Sequence, residues 1–190
     1  MTLCFGRSRG FEALLQDPRG GDVRGFLFEL AVWLEAPVDP LSGMTVNLVK
    51  VDAWLDSLIP ELAARPWSSR SDLLAAAWAG WRDLLKSSPP VRLERLELRH
   101  FPEILRLAEQ GRRWTLIRAE KQWLRDERGI ARETPVEAAM DFPAGREEEA
   151  RWWLKESFSK DEALPAGFQW REKRRRRDGD FFIELFKDGP

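Results

Sequence analysis

The chain has 190 residues, 43% of them hydrophobic and 33% charged, with a formal net charge of −1. That is the composition of an ordinary globular protein, long enough for one compact domain or for a core domain with an extension. The near-zero charge excludes a global field that would select nucleic acid or an acidic partner.

The first segment, Met1 to about Gln16, reads as a ragged strand, and Asp17-Pro18-Arg19-Gly20-Gly21-Asp22 is a turn by composition. Gly25 to Glu35 is the clearest strand. Phe26, Phe28, Leu30, Val32 and Leu34 fall on one face at period two, and Leu27, Glu29, Ala31, Trp33 and Glu35 on the other. The mixed second face predicts a sheet covered by helices on one side and met by something more polar on the other, such as a second subunit. Asn47 is a plausible N-cap. After it, Leu48, Val51, Leu55, Leu58 and Leu62 form a helical stripe, with Pro60 expected to kink or end it. A second helix is expected from Ser69, with Asp72 completing a variant capping box and Leu74, Trp78, Trp81 and Leu85 as its stripe.

Val91 to Phe101 reads as a strand with a bulge, because Val91 and Leu93 are out of phase with Leu96, Leu98 and His100. Pro102 and Glu103 predict a short helix ending at Gly111. Arg113 to Leu124 predicts a further strand, and Glu127 to Gly145 a mostly loop region. Arg146 to Lys160 is a helix by its dipole-matched charges, with Glu147, Glu148 and Glu149 first and Lys155 and Lys160 last. Phe168 to Phe186 reads as a β-hairpin turning at Asp178-Gly179. No repeat of 20–50 residues is visible. The expected division is a domain over 1–124 and an extension over 125–190, carrying the helix 146–160 and the hairpin 168–186, packed on the same domain.

One loop is more specific than the rest. Pro40-Leu41-Ser42-Gly43-Met44-Thr45-Val46-Asn47-Leu48 joins the clearest strand to the first helix. It resembles the P-x-T-G-M-V-x-D/N segment of the 6-pyruvoyl-tetrahydropterin synthase and 6-carboxytetrahydropterin synthase family. The resemblance covers roughly residues 1–101. It implies an α+β tunnelling fold, an antiparallel sheet in the order β-β-α-α-β-β with helices on one face, and subunits joined edge to edge with active sites between them.

The same resemblance implies a zinc ion held by three histidines, and here the chain departs from the family. His100 is its one histidine. The first-strand ligand position falls on Leu15, at the end of Phe11-Glu12-Ala13-Leu14-Leu15. The paired ligand positions of the second strand fall on Arg24 and Phe26, with Gly25 kept between them. Neither an apolar side chain nor a guanidinium offers zinc a lone pair. The family's reactive cysteine would lie near Arg19, Gly20 and Gly21, well downstream of Cys4. The Asp-His motif between the helices has no match, and His100 stands where the family's glutamate anchors the pterin edge. A neutral imidazole cannot accept paired bonds from two adjacent N–H donors as a carboxylate does.

Other chemistry is sparse. No carboxylate spacing marks an acid–base pair, and Gly20-Gly21 and Gly43 lack a phosphate-binding pattern. No serine lies in a nucleophile-elbow context. The ten Trp, against no Tyr, favour core and interface packing. Trp170 followed by Arg171 to Arg177, six cations in seven residues, gives a second class of candidate: single-strand nucleic-acid binding through Trp170, Arg174, Arg175, Arg176 and Arg177. A solvated, charge-protected edge strand explains the same run and fits the neutral whole better.

The sequence thus leads to a pterin-synthase-like protein without zinc catalysis, holding no cofactor and acting as a homo-oligomeric or partner-bound binding and assembly module. The alternative is a metal-independent enzyme or binder of a pterin- or purine-like ring, with Arg24, Phe26, Met44 and His100 as its pocket. No apolar run approaches the roughly 18 residues that cross a bilayer. No secretory signal is visible, and the single cysteine fits a reducing compartment, so the cytoplasm is expected.

Overall fold

Alternation of large apolar side chains drives the first hairpin. In the computed structural model, β1 (Thr2–Gln16) and β2 (Val23–Pro37) pair antiparallel along their whole lengths, from Thr2 opposite Pro37 to Gln16 opposite Val23. The structure describes residues 2–17, 21–39, 41, 46–87, 90–125, 131–156, 163–177 and 180–185; the side chains of 120–125, 131–137, 156 and 172–185 fall outside that description. Phe28, Leu30, Val32 and Leu34 are buried, which makes their face the core.

α1 (Leu48–Ala63) begins where the Asn47 side chain accepts the Val49 N–H at 2.9 Å. It buries Val51, Trp54, Leu55, Leu58 and Leu62, whereas Leu48, expected in that stripe, sits at the exposed helix start. Arg7 pairs with Asp52 and Arg9 with Asp56, at 3.6 and 2.9 Å. Two residues of strand and four of helix each advance about 6 Å, so the two ion pairs run in step along parallel elements. Pro60 lies inside the helix, which ends three residues later. The chain then forms β3 (Pro66–Trp67), a two-residue strand parallel to β1 at Leu14 and Leu15. The Trp67 indole donates to the Leu62 carbonyl at 2.7 Å and lies under the Arg65 guanidinium.

α2 (Arg70–Leu85) is capped by Ser69, whose hydroxyl accepts the Asp72 N–H at 3.0 Å. It packs on α1 and on β4 (Arg92–His100). At the helix–helix contact the Trp54 and Trp81 rings meet edge to face at 5.9 Å. β4 pairs antiparallel with β2. Leu34 is opposite Leu93 and Trp33 opposite Arg95, so Glu94 is the extra residue of a bulge. That extra residue restores Leu96 and Leu98 to the core face occupied by Leu93.

The segment from Pro102 to Gly111 corrects the expected helix: Glu103–Ala108 is a strand, β5. Leu105 and Leu107 are buried while Ile104 and Arg106 alternate with them, a period of two that the Pro-Glu and Gly end signals had masked. Gly111 is used in a turn, at φ +82°, with its α-carbon against the Trp78 ring. The strand order around this core is β3-β1-β2-β4-β5. The fold is α+β, and the order β-β-α-α-β-β with helices packed on the sheet is the one the resemblance implies.

The chain divides into two compact units, Met1–His100 with Leu105–Arg112, and Phe101–Ile104 with Arg113–Pro190. The second unit contains β6 (Arg113–Arg125). In the second unit β6 pairs antiparallel with β7 (Ala131–Phe142), which replaces the loop expected over 127–145. Pro135 and the alternating charges before it hide this strand from a propensity argument; its long ladder with β6, from Trp114–Phe142 to Arg125–Ala131, accounts for it. α3 (Glu147–Glu156) packs on β6 and β7 and buries Ala150 and Leu154. The expected residues 157–160 of this helix lie outside the described residues. β8 (Gln169–Arg177) and β9 (Asp180–Leu185) form the expected hairpin, paired from Glu172–Leu185 to Arg177–Asp180, with Asp178-Gly179 outside the description. No helix is long and apolar enough to cross a membrane among the described residues.

Candidate functional site

The β1–β2 register brings the three ligand positions of the resemblance together. Leu15 lies directly opposite Arg24, and Phe26 lies two residues further on, opposite Ala13. His100, the last residue of β4, meets Phe26 edge to face at 5.7 Å and Phe28 at 5.4 Å. Its Nδ1 is 2.9 Å from the Leu27 carbonyl. A carbonyl can only accept, so Nδ1 carries a proton, and in the neutral imidazole Nε2 is the acceptor. Arg24 is largely exposed and pairs with Asp17 at 3.6 Å. A Cβ at Gly25 would lie 2.3 Å from the Glu12 carboxylate oxygen, the far end of a flexible side chain that would have to turn aside.

One rim of the first unit therefore holds Leu15, Arg24, Phe26 and His100. Its donor set does not fit a zinc ion: a leucine, a guanidinium, a phenyl ring and one imidazole already engaged through Nδ1. Among the described residues no group of three His, Cys, Asp or Glu could hold a metal. Met44, the fourth pocket residue expected from sequence, lies outside the described residues. The described residues that flank it, Leu41 and Val46, follow the other end of β2, about 11 residues and ~36 Å of strand from Phe26.

A second constellation occupies the opposite face of the sheet. Glu97 is buried, and three guanidiniums converge on it. Arg99 donates from Nε and Nη2 to Oε2 at 3.1 and 2.7 Å, and Arg106 reaches Oε1 from Nε and Nη2 at 3.0 and 2.9 Å. Arg95 Nε is 3.4 Å from the same Oε1. Arg99 also donates to Glu29, at 3.4 Å, and Arg95 stacks 4.2 Å from the centre of the Trp33 ring. Burial alone would raise the Glu97 pKa. The Arg99 hydrogen bonds and the charges of Arg106, Arg99 and Arg95 outweigh it and hold the carboxyl below its ordinary value. The sequence signal was present, since Arg95, Glu97 and Arg99 share one face at period two, but Arg106 was hidden in the presumed helix.

Cys4 is exposed at the start of β1. Its thiol is raised by partial desolvation first, then by Glu94 and Glu35, against an opposing Arg95. A thiol raised in this way has less of the nucleophilic thiolate. In the second unit Trp170 is buried and lies opposite Met140 in the ladder. Arg174 to Arg177 belong to β8, and their side chains lie outside the described residues. Another carboxylate there is engaged: Asp141 accepts the Thr115 hydroxyl at 2.6 Å and Arg171 Nε at 2.5 Å.

No protein-family model matches the chain, and no curated protein matches it. Among solved structures it is similar in fold to the 6-pyruvoyl tetrahydropterin synthase of Caenorhabditis elegans. The identity is 17% and the TM-score 0.49, over 57% of this chain and 96% of that one.

Proposed function

We propose that this protein is a pterin-synthase-like binding and assembly module that does not carry out zinc-dependent catalysis. The observation that carries the proposal is the rim itself. The register puts Leu15, Arg24 and Phe26 side by side, at the three positions of the resemblance, and none of them can coordinate zinc. His100 alone cannot replace the set. Assembly with further copies is supported by the outer edge of β1. Among the described residues, β3 covers that edge only at Leu14 and Leu15, leaving the backbone from Thr2 to Ala13 open to an added strand. Leu3, Leu48 and Val49 are exposed apolar residues that an added subunit would cover.

The test is elemental analysis of protein purified without chelator, together with its mass in solution by light scattering. Less than a tenth of an equivalent of zinc and a mass above one chain are expected. One tightly held zinc per chain, or a monomer at all concentrations, overturns the respective half of the proposal.

A second reading, a binder of a pterin- or purine-like ring, is favoured by one feature. His100 and Phe26 make an aromatic corner with a hydrogen-bond acceptor, Nε2, left over. Native mass spectrometry decides it: a bound heterocycle released on denaturation supports it, and an unmodified chain mass with no thermal shift from neopterin or guanine refutes it.

A further inference from the structure

The two halves of the chain share a plan that their sequences do not announce. The first runs β1, β2, two helices with the two-residue β3 between them, β4, β5, and the second, among the described residues, β6, β7, a helix, β8, β9. Each opens on a long antiparallel hairpin, and the strand that follows the helical segment pairs antiparallel with the second strand of that hairpin: β4 with β2, and β8 with β7.

The agreement extends to an irregularity. In the first half Leu34 faces Leu93 and Trp33 faces Arg95, with Glu94 extra. In the second Met140 faces Trp170 and Ala139 faces Glu172, with Arg171 extra. Both bulges fall on the third residue of the strand. The residue before each crossing, Leu34 or Met140, is fully buried. The next residue along, Glu35 or Asp141, is acidic in both. A bulge inserts one residue at one rung, and regular pairing gives no reason for it to recur at the same rung of an unrelated hairpin.

We infer that the chain is an internal duplication: residues 113–185 are a second copy of the module formed by residues 2–108, carrying one described helix where the first copy has two. The C-terminal region is thus a second platform and not an appendage to the first.

Counted from the bulge, Phe26 matches Arg132, and the counterparts of Leu15, Arg24 and Val23 fall outside the described residues. Contacts made through the shared plan of the module have two places per chain.

Two measurements on the full-length chain test this. In backbone NMR, cross-strand contacts are expected between Leu34 and Leu93, Trp33 and Arg95, Met140 and Trp170, and Ala139 and Glu172, with Glu94 and Arg171 both skipped. Pairing of β7 with β8 without the skip, or any other strand order after residue 113, overturns the duplication. Separately, deletion of Glu94 or of Arg171 removes the extra residue and throws one flank of its strand onto the wrong face. Each deletion is expected to lower the melting temperature of its own half by several degrees. A chain lacking Arg171 that melts like its parent, while loss of Glu94 destabilises it, overturns the inference as well.

Discussion

Glu97→Gln is the sharpest probe of the first unit, because it changes a charge and almost no volume. The glutamate is buried, and two arginines donate four charge-assisted contacts of 2.7–3.1 Å to its two oxygens, with Arg95 beside them. Each charged hydrogen bond contributes about 1.5–3 kcal/mol net. Removing one partner of a fully buried ion cluster costs about 3–5 kcal/mol. The arginines keep roughly a third of their surface in water and can turn outward, which lowers the cost to about 2–3 kcal/mol. With a urea m-value of ~2 kcal/mol/M, the midpoint should fall by about 1–1.5 M at pH 7.

The pH dependence of that difference follows from the direction of the shift. The folded-state pKa of Glu97 is depressed, so its contribution is complete above the ordinary glutamate value of about 4.3 and is lost as pH falls through the lower folded value. Urea midpoints of parent and variant, measured by circular dichroism and fluorescence from pH 7 to pH 2, should differ most at pH 5–7 and converge in acid. A variant as stable as the parent at pH 7, or a gap that persists unchanged at pH 2, refutes the account of the cluster.

Two further substitutions separate backbone from packing effects. Gly111 and Gly145 both have positive φ, +82° and +80°, but a Cβ on Gly111 would lie 2.9 Å from Trp78 Nε1 and one on Gly145 meets nothing within 4 Å. Gly145→Ala should therefore cost only the backbone term, ~1 kcal/mol, and Gly111→Ala about 2–4 kcal/mol in thermal melts; equal losses would sink the role given to the Trp78 ring. Ser69→Ala should cost about 1 kcal/mol by stripping the cap of α2, and Ser69→Asp should retain most of it, because the carboxylate also accepts the Asp72 N–H. Equal melting of the alanine and aspartate variants would show that the cap contributes nothing.

Much of the first unit was legible in the sequence because its signals are local and agree with one another. The apolar alternation of Phe28 to Leu34, the caps at Asn47 and Ser69 and the phase slip before Leu96 each report a backbone state directly. β5 was lost because Pro102, Glu103 and Gly111 carry the end signals of a helix, while the deciding facts are tertiary: Leu105 and Leu107 enter the core and Arg106 reaches Glu97 on the neighbouring strand. β7 was lost because Pro135 and its charged neighbours lack strand propensity, and only the ladder to β6 holds them extended. The rim was legible as positions, through Leu15, Arg24, Phe26 and His100, but not as geometry. The tautomer of His100 is set by the Leu27 carbonyl, a backbone group that no side-chain pattern can reveal. The duplication was invisible for the same reason: what recurs is a pairing register, not a residue pattern.

The two-residue strand β3 bears on how sheets of this protein can grow. Pro66 and Trp67 pair with Leu14 and Leu15 near the end of β1, and Trp67 is fastened to the end of α1 through the Leu62 carbonyl. A strand that joins this edge must stop before Leu14, so it lies offset along β1 from the start. In a sheet that closes on itself, such offsets accumulate into the stagger that, with strand number, sets the tilt and radius of the closed structure. A pair of residues at a helix turn would then help to fix the diameter of any ring built from this chain.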